Sequence, residues 1–246
     1  VEENHMYIRI ASNDFFAVSK DVVSKMIAGE YTAQQAYRAF NARLLAEETP
    51  DDDEIVLTSG KSYSNVFHAN GGSASFSVMA NTLRGVYGTD VLLATANSFT
   101  GSVLRADYNK KMAASMIMPN GLMSRQRTMT GAELKETVRA FVEGCKGGFV
   151  PFNRGSLPVV SGIAVEVKEA SGSYTLTGIT RNGQPLKDDD TVTVTCLATE
   201  KQMEALLASE SGTSLDGDTW VKNRWRDHVS GGGAALAEPE NYMTLR

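Results

Sequence analysis

The sequence is poor in the residues that most metal and redox sites use. In 246 residues it has three histidines, His5, His68 and His228, and two cysteines, Cys145 and Cys196. The histidines are scattered and no Cys-x-x-Cys pair occurs, which excludes a zinc ribbon and a thioredoxin-like site. The two cysteines are compatible with one disulfide or with two buried thiols. We favour buried thiols, because free cysteine is among the most buried residue types.

Long apolar runs and stripes of basic residues are also missing. No apolar run approaches the ~18 residues that a membrane-spanning helix needs, and the net charge is −5. Because binding to a nucleic-acid backbone needs clustered Lys and Arg, the composition argues against a nucleic-acid partner. Hydrophobic residues make up 42% and charged residues 22% of the chain, which is ordinary for a soluble globular protein. The chain begins at Val1 in polar sequence, as a mature protein or a fragment does.

A proline and a run of carboxylates divide the sequence into two parts. Residues 1–48 are predicted to be helical, with Val22–Ile27 at helical spacing before Gly29. The segment Pro50–Asp53 cannot continue a helix, so we predict a linker there. Residues 54–229 are predicted to form one domain. Residues 230–246, which are glycine-rich and then irregular, are predicted to form an extended tail.

Short apolar runs separated by turns follow from residue 54. Ser73–Tyr87 has helical periodicity and is followed by Gly88. Thr130–Glu133 has the pattern of a capping box and predicts a helix as far as Gly144. Asn182-Gly183 between alternating runs predicts a β-hairpin. Strands are predicted over Ile55–Thr58, Asp90–Thr95, Val159–Val167, Tyr174–Thr180 and Thr191–Leu197. This mixture predicts an α+β (mixed α/β) fold with an N-terminal helical appendage.

The order of several short motifs in residues 54–200 resembles that of the C-terminal, substrate-binding domain of the 5′-nucleotidase family. The strand Asp90–Thr95 leads to Asn97, where the family has a strand that ends in an Asn-Gly-Gly loop. Three later segments match the family's Thr-Gly-x-x-Leu helix, its Ser-Gly strand start and its Asn-Gly-x-Pro hairpin. They are Met129–Leu134, Val160–Ile163 and Ile179–Leu186.

This resemblance implies a mixed sheet with packed helices in a bacterial protein located outside the cell, at its surface or in the periplasm. It also implies a partner, since complete enzymes of the family join this domain to an N-terminal metallophosphoesterase domain that holds two divalent metal ions. None of that domain's Asp, His and Asn motifs is present in the sequence. We therefore expect no cofactor in this chain, and no phosphoesterase activity.

The loop after the strand Asp90–Thr95 contains the first candidate binding residues. Ser98–Gly101 replaces the Gly-Gly-x-Arg of the family, and the nearest arginine is Arg105. We predict that Asn97, Phe99 and Arg105 contact a small-molecule ligand, because loops after buried strands are where α/β proteins place ligands. The alternative is that Asn97 caps a turn and Phe99 packs in the core.

Three further candidates come from other loops. The family's Pro-Phe-x-Asn segment aligns with Pro119–Leu122, which puts Asn120 where the family has an aromatic side chain that stacks on the base. Phe152 and Arg154 are placed to stack on a ligand, the alternative being a solvated loop. The resemblance thus implies that the scaffold is retained and that the contacts with the nucleoside are altered.

Residues 1–48 carry a separate resemblance, to the terminal helices of extracellular solute-binding proteins. It rests on Val22–Ile27, Gly29–Thr32 and Gln35-Ala36. It implies that a solute-binding domain precedes this chain in a longer protein.

The sequence is compatible with three functions. The first is a non-catalytic binding domain for a nucleoside- or sugar-like small molecule. The second is the substrate-specificity domain of an active nucleotide phosphohydrolase whose metal domain lies outside this chain. The third is a degenerate structural or interaction domain. The missing stacking aromatic and the displaced arginine argue against the second function, but they do not separate the first from the third.

Overall fold

A computed structural model describes residues 24–25, 28–29, 54–118, 122–144, 157–171, 173–199, 213–214, 219–231 and 234–246. The chain divides into two units, Val1–Glu54 and Ile55–Arg246. In the first unit, Ser24 and Lys25 are helical and Gly29 has a φ of 72°, as expected at the end of a helix. The Ala28 amide donates to the Ser24 carbonyl at 2.9 Å, and the other residues of the predicted helical segment 1–48 lie outside the described residues.

The second unit combines three sheets with four helices among its described residues. The strands are β1 (Ile55–Ser59), β2 (Val91–Thr95), β3 (Ala106–Asn109), β4 (Leu122–Thr130), β5 (Pro158–Ser161), β6 (Ala164–Ala170), β7 (Ser173–Arg181), β8 (Gln184–Pro185), β9 (Thr191–Thr199), β10 (Thr213–Ser214), β11 (Thr219–Trp220) and β12 (Met243–Leu245). The helices are α1 (Ala74–Tyr87), α2 (Lys110–Ala114), α3 (Gly131–Gly144) and α4 (Val221–Ser230). The predicted α+β (mixed α/β) class is confirmed.

The central sheet has the order β10-β4-β9-β2-β5, and β11 also pairs with β4. It is mixed, because β2 runs parallel to β9 and antiparallel to β5. A second sheet has the order β12-β6-β7-β8, and β1 pairs with β3 in a two-stranded sheet. Strand β2 is buried on both faces, which explains why it is read from the sequence as a continuous apolar run.

The helix boundaries follow from local chemistry. Ser73 caps α1 by accepting a hydrogen bond from the Phe76 amide at 3.4 Å, and Gly88 ends the helix with a φ of 66°. At the start of α3, the Glu133 amide donates to Thr130 Oγ1 at 3.2 Å and the Thr130 amide donates to Glu133 Oε2 at 2.7 Å. This reciprocal pair is the predicted capping box.

The predicted hairpin is also present. Asn182 and Gly183 have φ values of 52° and 75°, and both must be positive in the type I′ turn that this dipeptide favours. Arg181 pairs with Gln184 across the turn.

The apolar run Val159–Val167 is not one strand. It is divided between β5 in the central sheet and β6 in the second sheet, and Gly162 lies between them with a φ of 82°. A Cβ at this position would lie 2.0 Å from the carbonyl oxygen of Asp90. Glycine therefore permits both the left-handed backbone and the close approach that carries the chain from one sheet to the other.

The domain does not stop at residue 229, and the end of the chain is not a free tail. Residues 234–246 are mostly extended, but β12 adds a parallel strand to β6, and Tyr242 is buried. The reason lies in polar side chains of α1, which bond to the backbone of this segment. Ser77 exchanges hydrogen bonds with Glu240, and the Asn81 amide donates to the Glu238 carbonyl at 2.9 Å. Sequence patterns do not reveal such partners.

Cys196 is a buried free thiol whose pKa is raised to about 12 by burial. It therefore stays protonated, as expected of a small buried hydrophobe. Cys145 lies outside the described residues.

Gly72 sets how closely the C-terminal segment can pack, and we expect Gly72→Ala to destabilise the protein by roughly 2–4 kcal/mol. Its φ is 78°, and a Cβ would lie 2.2 Å from Cζ of the buried Tyr242 ring. Left-handed strain costs about 1–2 kcal/mol, and overpacking costs about 1–3 kcal/mol. Urea unfolding followed by circular dichroism measures the change.

Gly85→Ala is the matched control. Gly85 lies in the exposed part of α1, with no atom within 4 Å of a new Cβ, so alanine should stabilise the helix by about 0.5–1 kcal/mol. Equal stability of the two variants would contradict the role given to Gly72.

Candidate functional site

The loop that follows β2, residues 96–105 (the β2 loop), begins with a 3₁₀ turn over Ala96–Ser98. It lies beside the segment that leads into Pro119–Leu122. The Thr100 amide donates to the Met116 carbonyl, and the Met118 amide donates to the Ser98 carbonyl, both at 3.0 Å. The backbone thus places the β2 loop beside Met116 and Met118.

Phe99 is a core residue, which corrects its assignment as a ligand contact. Its side chain is 5% exposed and stacks on Phe76 with ring centroids 6.1 Å apart. An aromatic ring buried in this way cannot stack on a ligand, so the alternative interpretation of Phe99 is the right one.

Asn97 and Arg105 are exposed near the two ends of the β2 loop. Neither side chain bonds to another described residue. The loop between them is held through its backbone, because the Arg105 amide donates to Ser62 Oγ at 2.8 Å and Ser75 Oγ bonds to both Gly101 and Val103. A rigid loop with free polar side chains is able to bind a polar ligand.

The other predicted contacts, Asn120, Phe152 and Arg154, lie outside the described residues. Leu122, which takes the place of the family's polar Asn, is buried at the start of β4. It therefore offers no polar contact.

A polar cleft of about 390 Å³ lies elsewhere, between four segments. Arg84 comes from the end of α1, Asp90 directly precedes β2, and Arg181 comes from the end of β7. Glu240 and Asn241 come from the C-terminal segment, and the turn between β5 and β6 completes the wall. Sequence reasoning missed this cleft. The Ser161-Gly162 and Asn182-Gly183 turns were visible signals, but nothing in their spacing shows that they meet.

Asp90 joins three elements around the polar cleft. One carboxylate oxygen accepts from Arg181 Nη2 at 2.6 Å, and the other accepts from the amide and hydroxyl of Thr193 at 2.8 and 2.9 Å. Burial by itself would raise the pKa of Asp90, but the hydrogen bonds from Thr193 and the charges of Arg181 and Arg84 outweigh it and lower this pKa. Asp90 is therefore ionised at neutral pH.

A chain of hydrogen bonds orients Arg84. Its Nε donates to Ser161 Oγ at 2.8 Å, and Ser161 in turn donates to Asn81 Oδ1. The Asn81 amide bonds to the carbonyl of Glu238. The position of the Arg84 guanidinium is thus coupled to α1, to β5 and to the C-terminal segment.

Two features are absent from the part of the chain that the structure describes. In that part of the chain, no three His, Cys, Asp or Glu side chains come together in a way that could hold a metal ion. No helix there is long and apolar enough to cross a membrane.

Comparison with known proteins gives structural matches alone. No family model and no curated protein matches the sequence. A 5′-nucleotidase precursor from Thermus thermophilus has a TM-score of 0.62 at 13% identity, over 87% of this chain and 43% of that one. A putative 5′-nucleotidase from Staphylococcus aureus gives 0.60 at 12%, over 87% and 44%. The NAD nucleotidase of Haemophilus influenzae gives 0.56 at 15%, over 88% and 42%.

The chain has the fold of the 5′-nucleotidase C-terminal domain. The predicted fold is confirmed, and the chain spans about two-fifths of the length of the nucleotidases that it matches. Nothing in these comparisons supports the resemblance of residues 1–48 to a solute-binding protein. In this nucleotidase-type fold, the β2 loop and the polar cleft lie at opposite ends of β2.

We expect Asp90→Asn to destabilise the nucleotidase-type domain by about 1–2 kcal/mol at pH 7. Hydrogen bonds to charged groups are worth about 1.5–3 kcal/mol, and we expect less here because the Asp90 side chain is 37% exposed and screened by solvent. The lowered pKa makes the loss pH-dependent. It should be full above the ordinary carboxyl pKa of about 4 and disappear as the pH falls through the lowered value.

Urea titrations between pH 2.5 and 7 measure this difference. Asp189→Asn is the control, because Asp189 is an exposed turn residue that bonds to no other described residue, and its replacement should change stability by less than ~0.5 kcal/mol. A destabilisation by Asp90→Asn that is constant over the whole pH range would show that the charge of Asp90 is not what matters.

Proposed function

We propose that this chain is an extracellular, small-molecule-binding domain of a larger 5′-nucleotidase-related protein, and that it is not itself catalytic. The β2 loop carries this proposal, since it is held rigidly at the carboxyl end of a buried strand while Asn97 and Arg105 stay exposed. The fold and the share of each nucleotidase that is covered support a separate metallophosphoesterase domain as its partner. The divalent metal would belong to that domain.

The β2 loop is best suited to a polar, nucleoside- or sugar-like molecule. An amide and a guanidinium offer directional hydrogen bonds to hydroxyls and a charge for an anionic group. Stacking is worth roughly 1–3 kcal/mol per base, and Phe99 does not supply it because its ring packs on Phe76. The β2 loop therefore favours polar contacts over stacking on a base.

A second candidate function is that of the substrate-specificity domain of an active nucleotide phosphohydrolase. The proteins that this chain resembles in fold include a 5′-nucleotidase and an NAD nucleotidase, whose names indicate nucleotide substrates. Under this function the same loop would face the metal centre of the preceding domain, and it would hold the substrate rather than a regulatory ligand.

Binding to the β2 loop should be weak for adenosine and AMP, in the millimolar range or absent, and stronger for a sugar of a small panel. Removal of the guanidinium in Arg105→Ala should weaken any such binding at least tenfold, because a hydrogen bond to a charged group is worth about 1.5–3 kcal/mol. Isothermal titration calorimetry on the full chain measures both.

Arg224→Ala is the control, since Arg224 is an exposed arginine on α4 and its loss should leave the affinity unchanged. Micromolar binding of adenosine would contradict the preference of this loop for polar contacts. Absence of any ligand across the panel would favour a structural or interaction role.

The isolated chain should not hydrolyse phosphate esters. Hydrolysis by this family's mechanism needs two metal ions that activate water, and the described residues offer no donor set for them. An assay with AMP, NAD, a UDP-sugar and a chromogenic ester in Mn²⁺ or Zn²⁺ tests this. Turnover that follows the pure protein and stops on chelation would overturn it.

A further inference from the structure

The polar cleft is independent of the β2 loop. Asp90, which lines the cleft, directly precedes β2, whereas the β2 loop directly follows this strand. Five residues of strand separate the two by about 16 Å. A molecule in the cleft would therefore not compete with one bound at Asn97 and Arg105.

Arg84 and Arg181 use only some of their N–H hydrogen-bond donors within the described part of the protein. A guanidinium carries five N–H donors. Arg84 uses Nε on Ser161 at 2.8 Å and has a long contact of 3.5 Å from Nη1 to the Asp90 carbonyl. Arg181 uses Nη2 on Asp90. The remaining N–H groups of both arginines bond to no described residue, so they are available to a ligand.

Asp90 cannot satisfy those donors. Its two carboxylate oxygens already accept three hydrogen bonds, one from Arg181 and two from Thr193. The carboxylate that holds Arg181 in place is therefore largely saturated. One carboxylate and two guanidinium groups leave a net positive charge among Arg84, Asp90 and Arg181 in the floor of the cleft.

The walls hold both guanidinium groups without help from a ligand. Arg84 is oriented through Ser161, and Arg181 through Asp90 and the hairpin turn. The absence of a side chain at Gly162 allows its backbone to approach Arg84 closely, since a Cβ there would lie 3.2 Å from Cδ of Arg84. Donors that are oriented in advance lose little entropy on binding.

The rim has a different character. The Glu240 side chain is exposed, and its backbone is fixed by the two hydrogen bonds with Ser77. Asn241 and Asn182 add amides beside it. A carboxylate at the rim repels a bare anion but accepts hydrogen bonds from hydroxyls. The cleft thus suits a molecule with an anionic head and a hydroxylated body.

We propose that the polar cleft binds a small hydroxylated oxyanion, a carboxylate or a phosphate ester, whose charged head lies between Arg84 and Arg181 and whose hydroxyls meet Glu240 and Asn241. The shared chemistry of the two head groups is a set of oxygen acceptors that match the fork of a guanidinium. A volume of about 390 Å³ admits a molecule of the size of a sugar phosphate.

The test is a titration of the full chain with four probes, namely inorganic phosphate, glucose 6-phosphate, gluconate and glucose, followed by amide chemical shifts. Both hydroxylated oxyanions should shift residues 162–164 and 180–183 and saturate, with at least tenfold tighter binding than inorganic phosphate. Glucose should not shift them. A preference for glucose 6-phosphate or for gluconate identifies the head group. Saturable binding of glucose, or of none of the four, would overturn the proposal.

Substitutions of Glu240 at the rim and of Arg181 in the floor should change the affinity for an oxyanion in opposite directions. Glu240→Gln removes the repelling charge at the rim and should tighten the binding of inorganic phosphate about two- to fivefold. Its matched control is Glu238→Gln, since Glu238 is an exposed carboxylate two residues away that pairs with Lys61 instead and should have no effect. Arg181→Gln should weaken oxyanion binding at least tenfold.

Because Arg181 also forms an ion pair with Asp90, the folding of Arg181→Gln is checked by urea titration. If Arg181→Gln does not fold, the comparison of Glu240→Gln with Glu238→Gln decides the question. Equal effects of the two glutamate variants would place the anion elsewhere and overturn the proposal. Arg105→Ala should leave binding in the polar cleft unchanged, so failure of the β2 loop as a site and failure of this cleft are distinguishable.

Discussion

The burial of most of α1, from Ser75 to Leu83, is the constraint on which the rest of the structure depends. All residues from Ser75 to Leu83 in this helix are buried, so their polar side chains must find partners inside the protein. Ser75 bonds to the β2 loop, Ser77 bonds to the C-terminal segment, and Asn81 joins that segment to β5. Loss of such a partner would leave a buried polar group unsatisfied, at a cost of about 1–3 kcal/mol.

Both candidate sites therefore depend on the same helix. At one end of β2, Ser75 holds the backbone of the β2 loop while Asn97 and Arg105 remain exposed. At the other end, Asn81 holds Ser161, which orients Arg84 in the polar cleft. A rigid, buried helix with a few polar side chains can position two surface sites without contributing a residue to the first of them.

The local elements of the fold could be predicted from the sequence, because their causes are local. The capping box at Thr130 and Glu133, the left-handed Gly88 and the Asn182-Gly183 turn each act within a few residues. Features that depend on contacts between distant segments were predicted wrongly. Val159–Val167 is divided between two sheets at Gly162, and the predicted tail is held by α1. The candidate site was predictable only in part, since the burial of the Phe99 side chain depends on its packing against Phe76.

The sequence by itself determined the class of the fold, the ends of its main helices and the loop after β2, since hydrophobic periodicity, caps and turn residues are properties of neighbouring positions. Only the tertiary structure decided that Phe99 is core, that residues 234–246 belong to the domain, and that Arg84, Asp90 and Arg181 meet in one cleft. The physical reason is that a charged side chain has no preferred partner until folding brings one within a few ångströms. For Asp90 and Arg181, which are 91 positions apart, that happens only when β2 and the hairpin pack together.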